Sequence, residues 1–117
     1  MTPRTMTEQA LVDDLEKGRE RLLTEETAQG LLKAIRRRLQ TITSNLYILR
    51  WIPEQGEDLY DVLVDGTSVA HVEIPRGGDR ETVVELSPVE AFRQRAATFT
   101  KPERRKLEIA MQLARRT

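Results

Sequence analysis

Apolar positions follow a helical period at both ends of this chain and a strand-like pattern in its middle. In the N-terminal part, four positions recur every three or four residues, which is typical of one face of an amphipathic helix beginning at about Glu8. These positions are Leu11, Leu15, Gly18 and Leu22. Gly18 either ends this helix or only weakens it, and residues 1–6 are predicted to form a frayed start.

A second helix is predicted to begin near Thr24, with Glu25 and Glu26 in a first turn where the helix dipole favours anions. Its apolar face is broad enough to cover one face of a sheet. That face consists of Ala28, Leu31, Leu32, Ile35, Leu39 and Ile42. The basic residues lie mainly on the opposite side, near the C-terminal end, and are Lys33, Arg36, Arg37 and Arg38.

The middle of the chain has the composition of three or four β-strands. They are predicted over residues 45–52, 59–64, 67–74 and 81–86. Pro53 is expected to end the first strand, because proline cannot donate to a ladder. Asp65-Gly66 indicates a hairpin, because a type I′ turn needs positive φ at both central residues. A two-residue turn would pair Val64 with Thr67, Val62 with Val69 and Tyr60 with His71, and a four-residue loop would shift these pairs but keep the same faces.

With this pairing, both faces of the hairpin are mostly apolar. One face carries Tyr60, Val62, Val64, Val69, His71 and Glu73. The other carries Leu59, Asp61, Leu63, Ala70, Val72 and Ile74. A sheet with one wet face alternates more cleanly, so we expect both faces to be covered, by the chain's own helices or by a second subunit. On the first strand, alternation puts Tyr47, Leu49 and Trp51 on one side.

Two capping boxes precede the C-terminal helices. In the first, Ser87 caps, Pro88 takes the first helical position and Glu90 completes the box of a helix reaching about Ala97. The second pairs Thr100 with Glu103. The last helix buries Leu107, Ala110, Met111 and Ala114. The sequence therefore predicts a single α+β domain over residues 1–117, with two N-terminal helices, an antiparallel meander of three to four strands and two C-terminal helices.

Amino-acid composition limits the location of the protein and the kinds of site it can contain. The chain has no cysteine, which excludes disulfides and thiolate metal sites and favours a cytoplasmic location. No apolar run is long enough to span a bilayer, so no membrane association is expected. The net charge is zero, but residues 53–90 are strongly acidic, whereas residues 31–52 and 91–117 are basic. These regions either neutralise one another within the fold or present separate acidic and basic surfaces to a charged partner.

No residue pattern indicates catalysis or a cofactor, so we predict a protein that is not an enzyme. His71 is the single histidine, and we interpret it as a strand residue hydrogen-bonded to a neighbour. The acidic run between Glu54 and Asp65 does not have a glycine and a terminal glutamate at the spacing of a calcium loop, which favours a solvated rim. The glycines of residues 76–80 join two predicted strands, whereas a phosphate-binding loop leads into a helix.

Two function classes remain. The first is a small protein-binding or regulatory module of the adaptor, inhibitor, immunity-protein or chaperone type. Its partner would be a second copy of the chain, giving a homodimer, or a basic protein surface that meets residues 53–90. The predicted contact residues are Tyr47, Trp51, Tyr60, Glu57, Asp58 and Asp61. The alternative is nucleic-acid binding by the basic helices over residues 31–40 and 101–116, through Arg36, Arg37, Arg38, Arg105 and Arg116.

Overall fold

The computed structural model describes residues 6–24, 29–40, 43–77 and 81–116. The helices are α1 (Met6–Thr24), α2 (Gln29–Leu39), α3 (Val89–Arg95) and α4 (Lys101–Arg116), with a 3₁₀ turn over Ala96–Thr98. The strands are β1 (Leu46–Glu54), β2 (Glu57–Val64), β3 (Ser68–Pro75) and β4 (Val83–Pro88). They form one antiparallel sheet in the order β1-β2-β3-β4. This confirms the predicted α+β order of two helices, a meander and two helices.

The N-terminal helix is longer than its apolar stripe suggests. Gly18 lies inside α1 and does not end it, and Thr24 is the last residue of α1, not the start of the next helix. The helix α2 begins at Gln29. The predicted first turn with Glu25 and Glu26, and the predicted apolar positions Ala28 and Ile42, lie outside the described residues.

The first strand departs from the prediction in two ways. It continues through Pro53 to Glu54, which is tolerated because β1 is an edge strand of the sheet. Its register with β2 also shifts between Ile48 and Arg50, which leaves Leu49 as a β-bulge. Beyond the bulge, Trp51 pairs with Tyr60, and it therefore lies on the opposite sheet face from Tyr47. The prediction that Tyr47 and Trp51 share a face was wrong.

The predicted register of the central hairpin was also wrong. Asp65 and Gly66 have φ of 53° and 72°, and the Thr67 N–H donates to the Val64 carbonyl, as in a type I′ turn. However, Val64 pairs with Ser68, so Thr67 is one extra residue in the connection. A one-residue shift moves every side chain of β3 to the other face relative to β2. The observed pairs include Val62 with Ala70, Tyr60 with Val72 and Asp61 with His71.

Helices cover both faces of the sheet, as the two apolar faces predicted. We call the first the α4 face. There Tyr47, Leu63 and Val69 pack with buried residues of α1, α3 and α4. We call the second the α2 face, where β-strand residues pack with α2 and with Leu22 of α1. The strand residues buried on the α2 face are Leu46, Val62, Val64, Ala70 and Val72. The chain's own helices therefore complete the core, and α1 contributes residues to both layers.

The two predicted capping boxes have different outcomes. Strand β4 continues to Pro88, no side chain caps α3, and the Val89 N–H donates instead to the Thr67 carbonyl. The first box was therefore wrong, because the hairpin connection supplies the acceptor. The second is confirmed, since the Glu103 N–H donates to Thr100 Oγ1 at 3.3 Å and the Thr100 N–H to Glu103 Oε1 at 3.2 Å.

Candidate protein-binding site

Trp51 is a large apolar side chain left open to solvent, with 59% of its surface exposed. It is fixed nevertheless. Its ring stacks on Tyr60, its cross-strand partner, with centroids 6.4 Å apart and planes 9° from parallel. Its indole N–H donates to Asp58 Oδ1 at 3.1 Å. The side chain is thus held in one orientation before any partner arrives, which lowers the entropy cost of binding.

An ion pair supports this aromatic pair. The Arg76 guanidinium donates to both Asp58 carboxylate oxygens, at 3.1 Å from Nε and 2.6 Å from the terminal nitrogen. The hydrogen bonds from Arg76 lower the pKa of Asp58 below its ordinary value, and the hydrogen bond from Trp51 lowers it further. The hydrogen bonds with Asp58 also raise the pKa of Arg76. Burial, and then the charge of Asp58, raises the pKa of the Tyr60 hydroxyl. Asp58 is therefore a carboxylate acceptor for the Trp51 N–H at neutral pH.

A groove of about 380 Å³ runs between the aromatic pair and the N-terminal helices. Its apolar wall is formed by Leu22, Leu31, Ile48 and Ile74 together with Trp51 and Tyr60. Gly18 and Gly30 line it from α1 and α2, and a Cβ placed on Gly30 would meet no atom within 4 Å. Asp14, Arg21, Asp58 and Lys106 supply its charged groups. The groove is concave, mostly apolar in its wall and bordered by polar groups, as binding sites usually are.

The structure brings together three of the six predicted contact residues: Trp51, Tyr60 and Asp58. Glu57 lies at the start of β2, opposite Glu54. Tyr47 and Asp61 are 4% and 6% exposed, and both belong to the α4 face, so neither is open to a partner. Sequence reasoning missed Arg76 and the two groove glycines, because it assigned Arg76 to a loop and treated Gly18 only as a helix breaker.

Asp61 instead anchors a polar cluster under the α3–α4 connection. Its carboxylate lies 2.8 Å from His71 Nδ1 and 3.7 Å from an Arg50 nitrogen. Arg50 also pairs with Glu103 at 2.8 Å and lies 4.2 Å from the Phe99 ring centre. His71 is therefore hydrogen-bonded to a neighbour, as predicted, and that neighbour is its cross-strand partner Asp61. Within the described residues, no group of three or more acidic or histidine side chains is placed to hold a metal ion.

The arginines of the nucleic-acid hypothesis do not form one surface. Arg37 and Arg38 are exposed on α2, and Arg36 donates to the Thr43 carbonyl at 3.4 Å. Arg105 and Arg116 belong to α4, which packs on the other face of the sheet, and Arg105 forms an ion pair with Glu8. A nucleic-acid strand bound to one face of the protein therefore cannot contact all five arginines.

Among the helices of the described segments, none combines the length and apolar character needed to cross a membrane. No protein-family model, curated protein or solved structure was found to match this chain.

Proposed function

We propose that this protein is a non-enzymatic protein-binding module whose partner inserts a side chain into the groove beside Trp51. The observation that carries the proposal is the exposure of Trp51 while its ring and its N–H are both fixed by Tyr60 and Asp58. Tryptophan, tyrosine and arginine dominate the binding energy of protein interfaces, and all three meet at this site. A regulatory role as an adaptor, inhibitor or chaperone fits such a module.

The proposed partner segment carries an apolar side chain next to a cation. The apolar side chain fills the groove, whose wall is formed by aliphatic and aromatic residues. The cation matches the acidic end of the sheet, where Glu54 and Glu57 are cross-strand partners and Glu73 lies on the next strand. The strand register puts these three side chains on the α4 face, so the cation would reach them around the end of the β1–β2 hairpin.

The groove can be blocked without weakening the fold. Gly30→Leu places a side chain into open space within the first turn of α2, and leucine favours a helix more than glycine does. We expect this variant to keep or raise the melting temperature and to lose the partner. Trp51→Ala is expected to weaken binding by about 2 kcal/mol or more, roughly 30-fold.

The test is affinity capture by the wild-type chain and these variants, followed by mass spectrometry and a titration of the recovered protein. Val83→Ala is the matched control, because Val83 is the other exposed large apolar residue among those whose exposure the structure describes, 42% exposed, and lies on β4 away from the groove. The proposal holds if one protein is lost with Gly30→Leu and Trp51→Ala and retained with Val83→Ala. Equal recovery by all four chains contradicts it.

The partner can also be a second copy of the chain. In that case light scattering of the wild-type chain gives the mass of a dimer, and Gly30→Leu gives that of a monomer. A dimer that persists in both Gly30→Leu and Trp51→Ala places self-association elsewhere on the molecule and contradicts a self-binding groove.

A further inference from the structure

We propose that a second groove, between α2 and β4, binds the phosphodiester backbone of a nucleic acid. This groove has a volume of about 810 Å³ and is lined by Lys33, Ala34, Arg37, Arg38, Gln40, Glu81, Thr82 and Val84. It is separate from the Trp51 groove, with which it shares no residue. Three of its eight lining residues are cations and one is an acid, so its charge is positive.

The three cations are available to a ligand. Lys33, Arg37 and Arg38 are all exposed, and none forms an ion pair within the part of the chain that the structure describes. Cations elsewhere on the molecule are often neutralised, as in the pairs Arg76–Asp58, Arg93–Glu108 and Lys106–Asp14. The helix α2 contains no carboxylate, so it cannot neutralise its own basic face. An anion bound from solution would therefore neutralise these cations.

The spacing of the cations suits a repeating phosphate. Lys33 and Arg37 are one helical turn apart, which corresponds to about 6 Å along the axis of α2. A duplex strand presents one phosphate per about 3.4 Å of its own axis, so this separation spans about two phosphates. Arg37 and Arg38 offer planar guanidinium forks that match phosphate oxygens. Thr82 and Gln40 add neutral donors to the same groove.

The composition of the groove distinguishes a nucleic-acid backbone from an acidic protein segment. Its apolar lining is limited to Ala34 and Val84, so it offers no pocket for the hydrophobic anchor that protein interfaces use. No aromatic residue lines it, so it cannot stack bases. The expected binding is therefore electrostatic and independent of sequence. The proposed nucleic-acid surface is therefore limited to the groove beside α2, and it does not include Arg105 and Arg116 of α4.

The experiment measures the binding of a fluorescently labelled double-stranded oligonucleotide between about 50 and 200 mM salt, by anisotropy. The test variant replaces Lys33, Arg37 and Arg38 with glutamine. The control replaces Lys101, Arg115 and Arg116 with glutamine, which makes the same change in net charge on α4. Circular dichroism establishes that both variants keep the fold. An unlabelled polyglutamate peptide serves as the competing polyanion.

We expect the test variant to lower affinity at 50 mM salt at least tenfold and to reduce the salt slope by about 3, since each of the three contacts with a duplex contributes about 0.9. The control is expected to lose less than threefold. Equal losses in the two variants would show a general charge effect and overturn the proposal. Failure of the wild-type chain to bind the oligonucleotide at 50 mM salt, or equally tight binding of polyglutamate, would also overturn it.

Discussion

At the scale of single residues, the site depends on one carboxylate that meets two different donors. Asp58 accepts from the Trp51 indole and from the Arg76 guanidinium, so one side chain fixes an exposed aromatic ring and neutralises a cation. Sequence reasoning chose Trp51, Tyr60 and Asp58 from their residue types. It could not separate Trp51 from Tyr47, because only the bulge at Leu49 puts these two residues on opposite faces. Alternation along the strand did predict that Asp61 lies on the other face from Tyr60, but it did not predict the burial of Asp61, which depends on tertiary packing.

The contact between Trp51 and Asp58 is expected to be lost in acid. The folded-state pKa of Asp58 lies below its ordinary value, so the stability it contributes is fully present above about pH 4 and is lost as the pH falls through the lower, folded-state pKa. Trp51 is the only tryptophan, so its emission reports this step directly. Asp58→Asn should remove the step. A transition in the wild-type emission at or above the ordinary aspartate pKa would contradict the contact.

The buried carboxylate of Asp61 is expected to matter for stability and not for binding. Asp61→Ala removes the partner of His71 Nδ1 and one of the two acids beside Arg50, which keeps Glu103. The loss should lower the free energy of unfolding by about 1–3 kcal/mol. Chemical denaturation measures the loss, with the exposed Glu90→Gln as a control that should change stability by less than about 0.5 kcal/mol. If Asp61→Ala abolishes partner binding while the chain stays folded, Asp61 contributes to the interface and this prediction is wrong.

At the scale of elements, the sequence predicted the four helices and four strands well but not how the strands face one another. Apolar periodicity and the Asp65-Gly66 pair identify the hairpin, and both residues adopt the expected positive φ. The extra residue Thr67 has no signature, because its role depends on the Val89 N–H that donates to its carbonyl from α3. This hydrogen bond joins residues 22 positions apart, and a local sequence pattern carries no information on such a contact.

The same turn packs closely against the last helix, and this can be measured. A Cβ on Gly66 would lie 3.2 Å from the Ala114 Cβ, whereas a Cβ on Gly77 would meet no atom within 4 Å. Both glycines have positive φ. Gly77→Ala should therefore cost about 1 kcal/mol from backbone strain alone, and Gly66→Ala should cost more because α4 must also move. Thermal unfolding compares the two variants, and equal losses would contradict the packing of this turn on α4.

At the scale of the whole molecule, the sheet separates two surfaces of different character. The apolar groove with Trp51 lies at the β1 side of the α2 face, and the basic groove lies at its β4 side. Sequence composition predicted segregated charge, but neither groove, because each is formed by segments that are distant in the chain. Gly18 and Ile74 line the first groove, and Lys33 and Val84 line the second. Only tertiary packing brings such residues together.

The most direct test of the Trp51 groove observes that residue itself. Because the chain has one tryptophan, incorporation of 5-fluorotryptophan gives a single ¹⁹F resonance that no partner tryptophan can obscure. We expect this resonance to shift, and to lose its sensitivity to solvent exchange between H₂O and D₂O, when the captured partner saturates the chain. Val83→Ala should give the same change. A saturated complex, verified by co-elution, in which the Trp51 resonance stays in place and solvent-exposed would contradict the proposed binding site.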